Sequence, residues 1–268
     1  MYRKLRLHKW QDVTPVADAW GTPVGDLIPY FKPFWSFIMK SLSSLLISSV
    51  VVAISSSASA AVVTQWTFNS SNAALTLTPY IGTGTASYVG GTAANQSGIS
   101  SGWVDDITAV VPVVNNRWTM TTFPATGSSG TAGAQFAVST AGFENVIISF
   151  GLRNSNTSSK YAMLQYSTNG TNFTDFGDVI TGTGDAWTSV SRDLSFLTTT
   201  DNNSTFAFRV VSVFAPGTSA YAAAKSSSAY GVGGTYGFDL VTVNGTAIPS
   251  PGAVALLGLA GLVARRRR

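Results

Sequence analysis

The chain has 268 residues, of which 45% are hydrophobic and only 10% charged, with a formal net charge of +4, one histidine and no cysteine. The absence of cysteine excludes a disulfide-braced fold, and the length allows a core that holds by apolar burial alone. The positive charge is concentrated at the ends: between Ala61 and Thr246 six basic residues face nine acidic ones, a balance of −3 that gives no footing for binding nucleic acid.

Residues Met1 to Ile38 differ from the rest of the chain, being rich in charge, proline and aromatics and carrying the single histidine, His8. Met39-Lys40 then opens a second start. An apolar stretch from Leu45 to Ile54 leads to the small residues Ala58, Ser59, Ala60 and Ala61. A basic residue, a short apolar core and a small-x-small site have the dimensions of a secretory signal peptide over 39–60, with cleavage after Ala60. We therefore expect translation to begin at Met39, residues 1–38 to be an upstream extension of the reading frame, and the export machinery to be of the Sec type.

From Ala61 to Thr246 no helical period of apolar residues appears. Strand-like runs are expected at Val62–Phe68, Ala74–Thr78, Asn116–Phe123, Ala134–Ser139 and Glu144–Arg153. Further runs occur at Tyr161–Ser167, Phe173–Ile180, Ala186–Leu194, Thr205–Phe214 and Thr235–Asn244. Glycine- and serine-rich links separate them, including Gly82–Gly91, Gly127–Gly133 and a twenty-residue loop, Ala215–Gly234, that reads either as a functional edge or as an insertion. Alternation within the runs predicts an all-β fold of two stacked antiparallel sheets, a sandwich of jelly-roll type in which the first and last strands pair. Arg209 could then face Asp239 as an ion pair.

Tyr166-Ser-Thr-Asn-Gly-Thr-Asn-Phe173 supplies Asn169-Gly170, the pair suited to a tight type I′ hairpin. The octet also resembles the Asp-box turn of sialidases and other secreted β-proteins, with Asn169 in the place of the Asp. The resemblance implies a fold device remote from any active centre.

Chemistry is sparse. Once 1–60 are removed the chain holds neither His nor Cys, so Ser-His-Asp and Cys-His triads and His-bearing zinc sites are excluded. Glu144 is the only Glu. Asp105 and Asp106 are adjacent, so on an extended strand they point to opposite faces and do not flank one glycosidic bond. No catalytic residues are assigned and no enzyme is expected. No cofactor is required; Ca²⁺ is the one ion the acidic loops could take, with Asp175 and Asp178 as weak candidates that lack the spacing of an EF-hand loop. For ligand binding, Trp103, Trp118 and Trp187 are the candidate platforms: Trp103 lies in a Gly/Ser-rich segment beside Asp105 and Asp106, which suits a binding edge, whereas Trp118 and Trp187 lie in strands, where core packing is expected over a platform.

The tail has three parts in fixed order: Pro249-Ser250-Pro251-Gly252, an apolar run from Ala253 to Ala264, and Arg265, Arg266, Arg267 and Arg268. Prolines stop a preceding strand or helix, the apolar run forms a single hydrophobic helix stable in lipid, and the arginines hold the end cytoplasmic. Over 247–268 this resembles the C-terminal sorting signal of PEP-CTERM proteins, with Pro-Ser-Pro-Gly where that family has Pro-Glu-Pro. The resemblance implies an exosortase-type transpeptidase as partner, a transient membrane anchor through the helix, and a final place at the cell surface or outside it. Two readings of the 61–246 ectodomain stay open: a structural or adhesive component of an extracellular polysaccharide matrix or biofilm, and a carbohydrate-binding module.

Overall fold

The computed structural model describes residues 60–69, 77–95, 102–103 and 115–249. Residues 1–38, the export segment with Ala58, Asp105 and Asp106, and the tail from Ser250 through Arg268 lie outside them, as does most of the Ala74–Thr78 run.

The chain forms β1 (Ala60–Trp66), β2 (Thr85–Val89), β3 (Ala93–Ala94), β4 (Trp118–Thr121), β5 (Gly133–Ala137), β6 (Phe143–Asn154), β7 (Tyr161–Ser167), β8 (Thr174–Thr181), β9 (Ala186–Asp193), β10 (Ala207–Ser212) and β11 (Tyr236–Ala247). A single 3₁₀ turn, Thr198–Thr200, is the one helical element among them, and no helix of the described residues is long and apolar enough to cross a membrane. One sheet runs β3-β4-β11-β6-β9 with β1 also on β11; the other runs β2-β5-β10-β7-β8, and every pairing is antiparallel.

Alternation decides which side chains face inward. On β6, Val146, Ile148, Phe150 and Leu152 are buried, and β11 adds Tyr236, Phe238, Val241 and Val243. Phe136 of β5 and Phe208 of β10 meet them from the second sheet, with rings 4.9 Å apart, and Trp118 packs edge-on to Phe136 at 5.7 Å. The first and last strands do pair, from Ala60 opposite Thr246 to Trp66 opposite Val241. β1 and β4 share one edge of β11 in succession, β4 taking Tyr236 to Phe238, while β6 holds the other edge along most of its length.

Several expectations change. The Gly82–Gly91 link contains β2, an edge strand whose Ala86 and Tyr88 pack against the core. Asn169-Gly170 does not form a type I′ hairpin, because only Gly170 has a positive φ and six residues separate β7 from β8. Instead the Asn169 side-chain oxygen accepts bonds from the Thr171 and Asn172 amides at 3.0 and 2.9 Å and from the Ser167 and Thr171 hydroxyls, so a side chain rather than mirror-image backbone closes the turn. Arg209 does not meet Asp239: the two belong to different sheets, and Arg209 binds Gln165 and lies over Phe173.

The 215–234 loop is packed down. Tyr221 and Tyr230 stack 4.8 Å apart, Tyr221 donates its hydroxyl to the Gly127 carbonyl and Tyr230 to the Pro124 carbonyl at 2.6 Å, and a bridge joins Ala223 to Ser159. Burial, reinforced by Tyr221, pushes the Tyr230 hydroxyl up to about 12. Fully buried Tyr236, which donates to the Ser159 and Tyr161 carbonyls, is pushed higher still by desolvation.

Candidate functional site

The outer face of the β4-β11-β6-β9 stretch carries the residues that are not explained by the core. Opposite-parity positions on these strands are Arg117 and Thr119, Gly237 and Asp239, Gly151 and Arg153, and Trp187 and Ser189. Two glycines clear the surface. A Cβ at Gly151 would stand 2.7 Å from Cε3 of Trp103 and 3.2 Å from Cε3 of Trp187, and one at Gly237 would stand 2.8 Å from Cδ of Arg117. Only a residue without a side chain lets both indoles come down onto the sheet at 151.

The two rings are 6.3 Å apart between centroids and within 20° of parallel, and both are half-buried. Trp187 is brought there by register: β9 pairs it with Arg153, whose side chain points outward, so it cannot join the core as expected from its strand. Trp118, of the opposite parity on β4, is in the core at 3% exposure and donates its indole N–H to the Tyr88 hydroxyl.

Trp103 is fixed through its backbone. Its amide donates to Oδ2 of Asp239 at 2.6 Å, and its carbonyl accepts from the Asn115 side-chain amide at 2.9 Å. Asp239 is fully buried and its second oxygen accepts the Leu240 amide. A bulge comes next, where Leu240 and Val241 oppose the single residue Phe150 and Leu240 takes a φ of +45°. Holding a leucine there costs on the order of 1 kcal/mol, and the local twist re-aims the preceding Asp239 toward the 103 segment.

Beside the rings lies a polar rim. Arg153 donates to Asp185 at 2.9 Å, and Asn156 donates to the other Asp185 oxygen. Beneath them Arg117 is buried; desolvation pulls its guanidinium below the usual arginine range, Arg153 pulls the same way, and Asp185 and Asp239 oppose both. The arrangement offers apolar ring surface, an outward-facing guanidinium and a carboxylate already engaged, with no pair of free carboxylates across a gap among the described residues.

Of the residues singled out from sequence, Trp103 is therefore in this site, and Asp105 and Asp106 fall outside the described residues. Asp175 accepts the Gln165 amide on the other sheet, and no group of three His, Cys, Asp or Glu able to hold a metal occurs among the described residues. Sequence reasoning missed Gly151, Arg153, Asp185 and Asp239 as site members.

No protein-family model matches the sequence, and neither does any curated protein. Among solved structures the chain is similar to the CBM22-1 xylan-binding domain of Xyn10C from Paenibacillus barcinonensis (9% identity, 72% of this chain and all of that one, TM-score 0.44). It is also similar to TmCBM61 in complex with β-1,4-galactotriose (10% identity, 60% and 86%, TM-score 0.33). A third is the K2 cleaved adhesin domain of Lys-gingipain (14% identity, 70% and 99%, TM-score 0.37). At such identities no side chain carries over from them.

Proposed function

We propose that the chain is an exported, surface-sorted sandwich of jelly-roll type that binds polysaccharide without cleaving it, as an adhesive element of an extracellular matrix. The observation that carries this reading is the half-exposed Trp103 and Trp187 pair seated on Gly151 beside Arg153, Asp185 and Asn156. Flat aromatic surface takes the C–H face of a pyranose ring, and the rim takes its hydroxyls. Asp239 is occupied in holding Trp103 and Asp185 in holding Arg153, which supports binding over hydrolysis. Export and sorting fit the ends of the fold: β1 starts at Ala60 and β11 ends at Ala247, so removal of 1–60 takes only the first residue of β1, leaving Ala61 to Trp66 paired with β11, and processing at Pro249 to Gly252 falls beyond the last strand.

The test is electrophoresis of the full chain through gels containing hydroxyethylcellulose, laminarin, galactomannan or alginate. At least one is expected to retard it, and Trp187→Ala to weaken retention roughly thirtyfold, about 2 kcal/mol. Unchanged retention in both Trp103→Ala and Trp187→Ala would overturn the platform. Mass spectrometry of the cell-surface fraction checks the sorting: a mature N-terminus at Ala61 and no peptide containing Arg265 to Arg268 are expected.

A further inference from the structure

The outer face of the second sheet carries an unbroken polar rung. Register places Ser87 of β2 opposite Gln135 of β5, Gln135 opposite Arg209 of β10, Arg209 opposite Gln165 of β7, and Gln165 opposite Asp175 of β8. Five strands at about 4.8 Å spacing make a line roughly 19 Å long. The rungs on either side are small or apolar: Ala137 and Ala207 on one, Gly133 and Val211 on the other.

The centre of this line is held still. Arg209 Nε donates to the Gln165 side-chain oxygen at 2.5 Å, Gln165 Nε2 donates to Asp175 at 2.6 Å, and the guanidinium carbon sits 4.1 Å from the centroid of Phe173. Phe173 comes from the Asn169 turn, which therefore forms a wall along one side. On the other side the 124–131 segment approaches so closely that a Cβ at Gly130 would lie 3.4 Å from Gln165 Nε2. The terminal amines of Arg209, the Gln135 amide, the Ser87 hydroxyl and the second Asp175 oxygen have no hydrogen-bond partner among the described residues. The floor thus presents the half-buried Ser87, Gln135 and Arg209 and the exposed Asp175 around a buried Gln165 that ties Arg209 to Asp175, and its one cation and one anion balance.

We infer that this walled rung is a second binding site, for an extended, uncharged, hydroxyl-rich chain, on the sheet opposite the indole pair. It stands apart from the aromatic platform and uses different chemistry: hydroxyl edges meet fixed polar groups, where the platform meets ring faces. A domain with one site on each sheet joins two polysaccharide chains, so its function extends from adhesion to cross-linking, and this last step rests on the platform reading above.

The test uses the full chain, the same three uncharged polymers and alginate, with gel retardation reporting any binding and light scattering of the mixture reporting cross-linking. Ser87→Ala/Gln135→Ala leaves the Arg209, Gln165 and Phe173 contacts intact and is expected to weaken retention on an uncharged polymer roughly tenfold and to abolish the scattering increase. Trp187→Ala is expected to abolish scattering yet keep residual retardation, which adding Ser87→Ala/Gln135→Ala removes. Loss of all retardation in Trp187→Ala alone, or scattering unchanged in Ser87→Ala/Gln135→Ala, would overturn the second site and leave the platform standing. Retardation lost in Ser87→Ala/Gln135→Ala but unchanged in Trp187→Ala supports the rung and overturns the platform. Retardation by alginate alone would overturn the assignment to an uncharged chain.

Discussion

The two faces of the six-stranded sheet put the same residue types to opposite use. On the inner face Trp118, Phe150 and Phe238 fill space against Phe136 and are almost wholly withdrawn from water. On the outer face Trp187 and Trp103 rest on a glycine, half-exposed, above Arg117 and Asp239. Strand parity alone separates Trp118 from Trp187. Burial of an indole thus reports core packing on one side of the sheet and a partly open ring surface on the other, and the two should respond differently to the same truncation.

The largest separation is expected from paired indole deletions followed by urea unfolding. Trp118→Ala empties a core position and loses the bond to Tyr88, for a cost of about 3–5 kcal/mol; Trp187→Ala should cost under about 1 kcal/mol while weakening polysaccharide retention roughly thirtyfold. Equal costs would erase the distinction between the faces. Next is Asp239→Asn, which removes the charge from the bond that holds the Trp103 amide and should cost about 1.5–3 kcal/mol, with altered Trp fluorescence. A fluorescence spectrum identical to wild type would mean that Asp239 does not position the ring.

The smallest effect is a pH dependence seated in the packed loop. Tyr230 is neutral in both states below its unfolded value near 10 and has a folded value of about 12, so its contribution is full below pH 10 and is lost as pH rises from about 10 to 12. Tyr236 shifts in the same direction and prolongs the decline. The urea midpoint should fall across this window, and the fall should be shallower in Tyr230→Phe.

The strands were legible where alternation is strong. β7 has the bounds its sequence predicts, and β9 differs only at its last residue. β2 was hidden because Thr85-Ala-Ser-Tyr-Val is short and lies among glycines, so its inward pair, Ala86 and Tyr88, adds little apolar signal. In the site, Trp103 stood out as a large aromatic among Gly and Ser, but its partners did not. Gly151, Trp187 and Asp239 are remote in sequence and meet only through the register of three strands. A sequence also does not say which parity of an edge strand faces inward, and that choice placed Trp187 outside. The Arg209 and Asp239 pairing failed because both lie on outward positions of opposite sheets.

The pairing of β1 with β11 has a mechanical meaning. Ala60 opposes Thr246, so the two chain ends leave the sandwich at one pole. In a molecule tethered through Pro249, tension enters along β11, which is paired to β6 on one edge and to β1 and β4 on the other. Its hydrogen bonds lie across the pull and are loaded together in shear, whereas a strand peeled from an edge breaks them one at a time. Asp239, under the indoles, is ten residues from Pro249, roughly 30 Å along an extended strand. On the proposed function, a load taken by a bound polysaccharide would pass down the most extensively paired strand of the fold before it reached the tether.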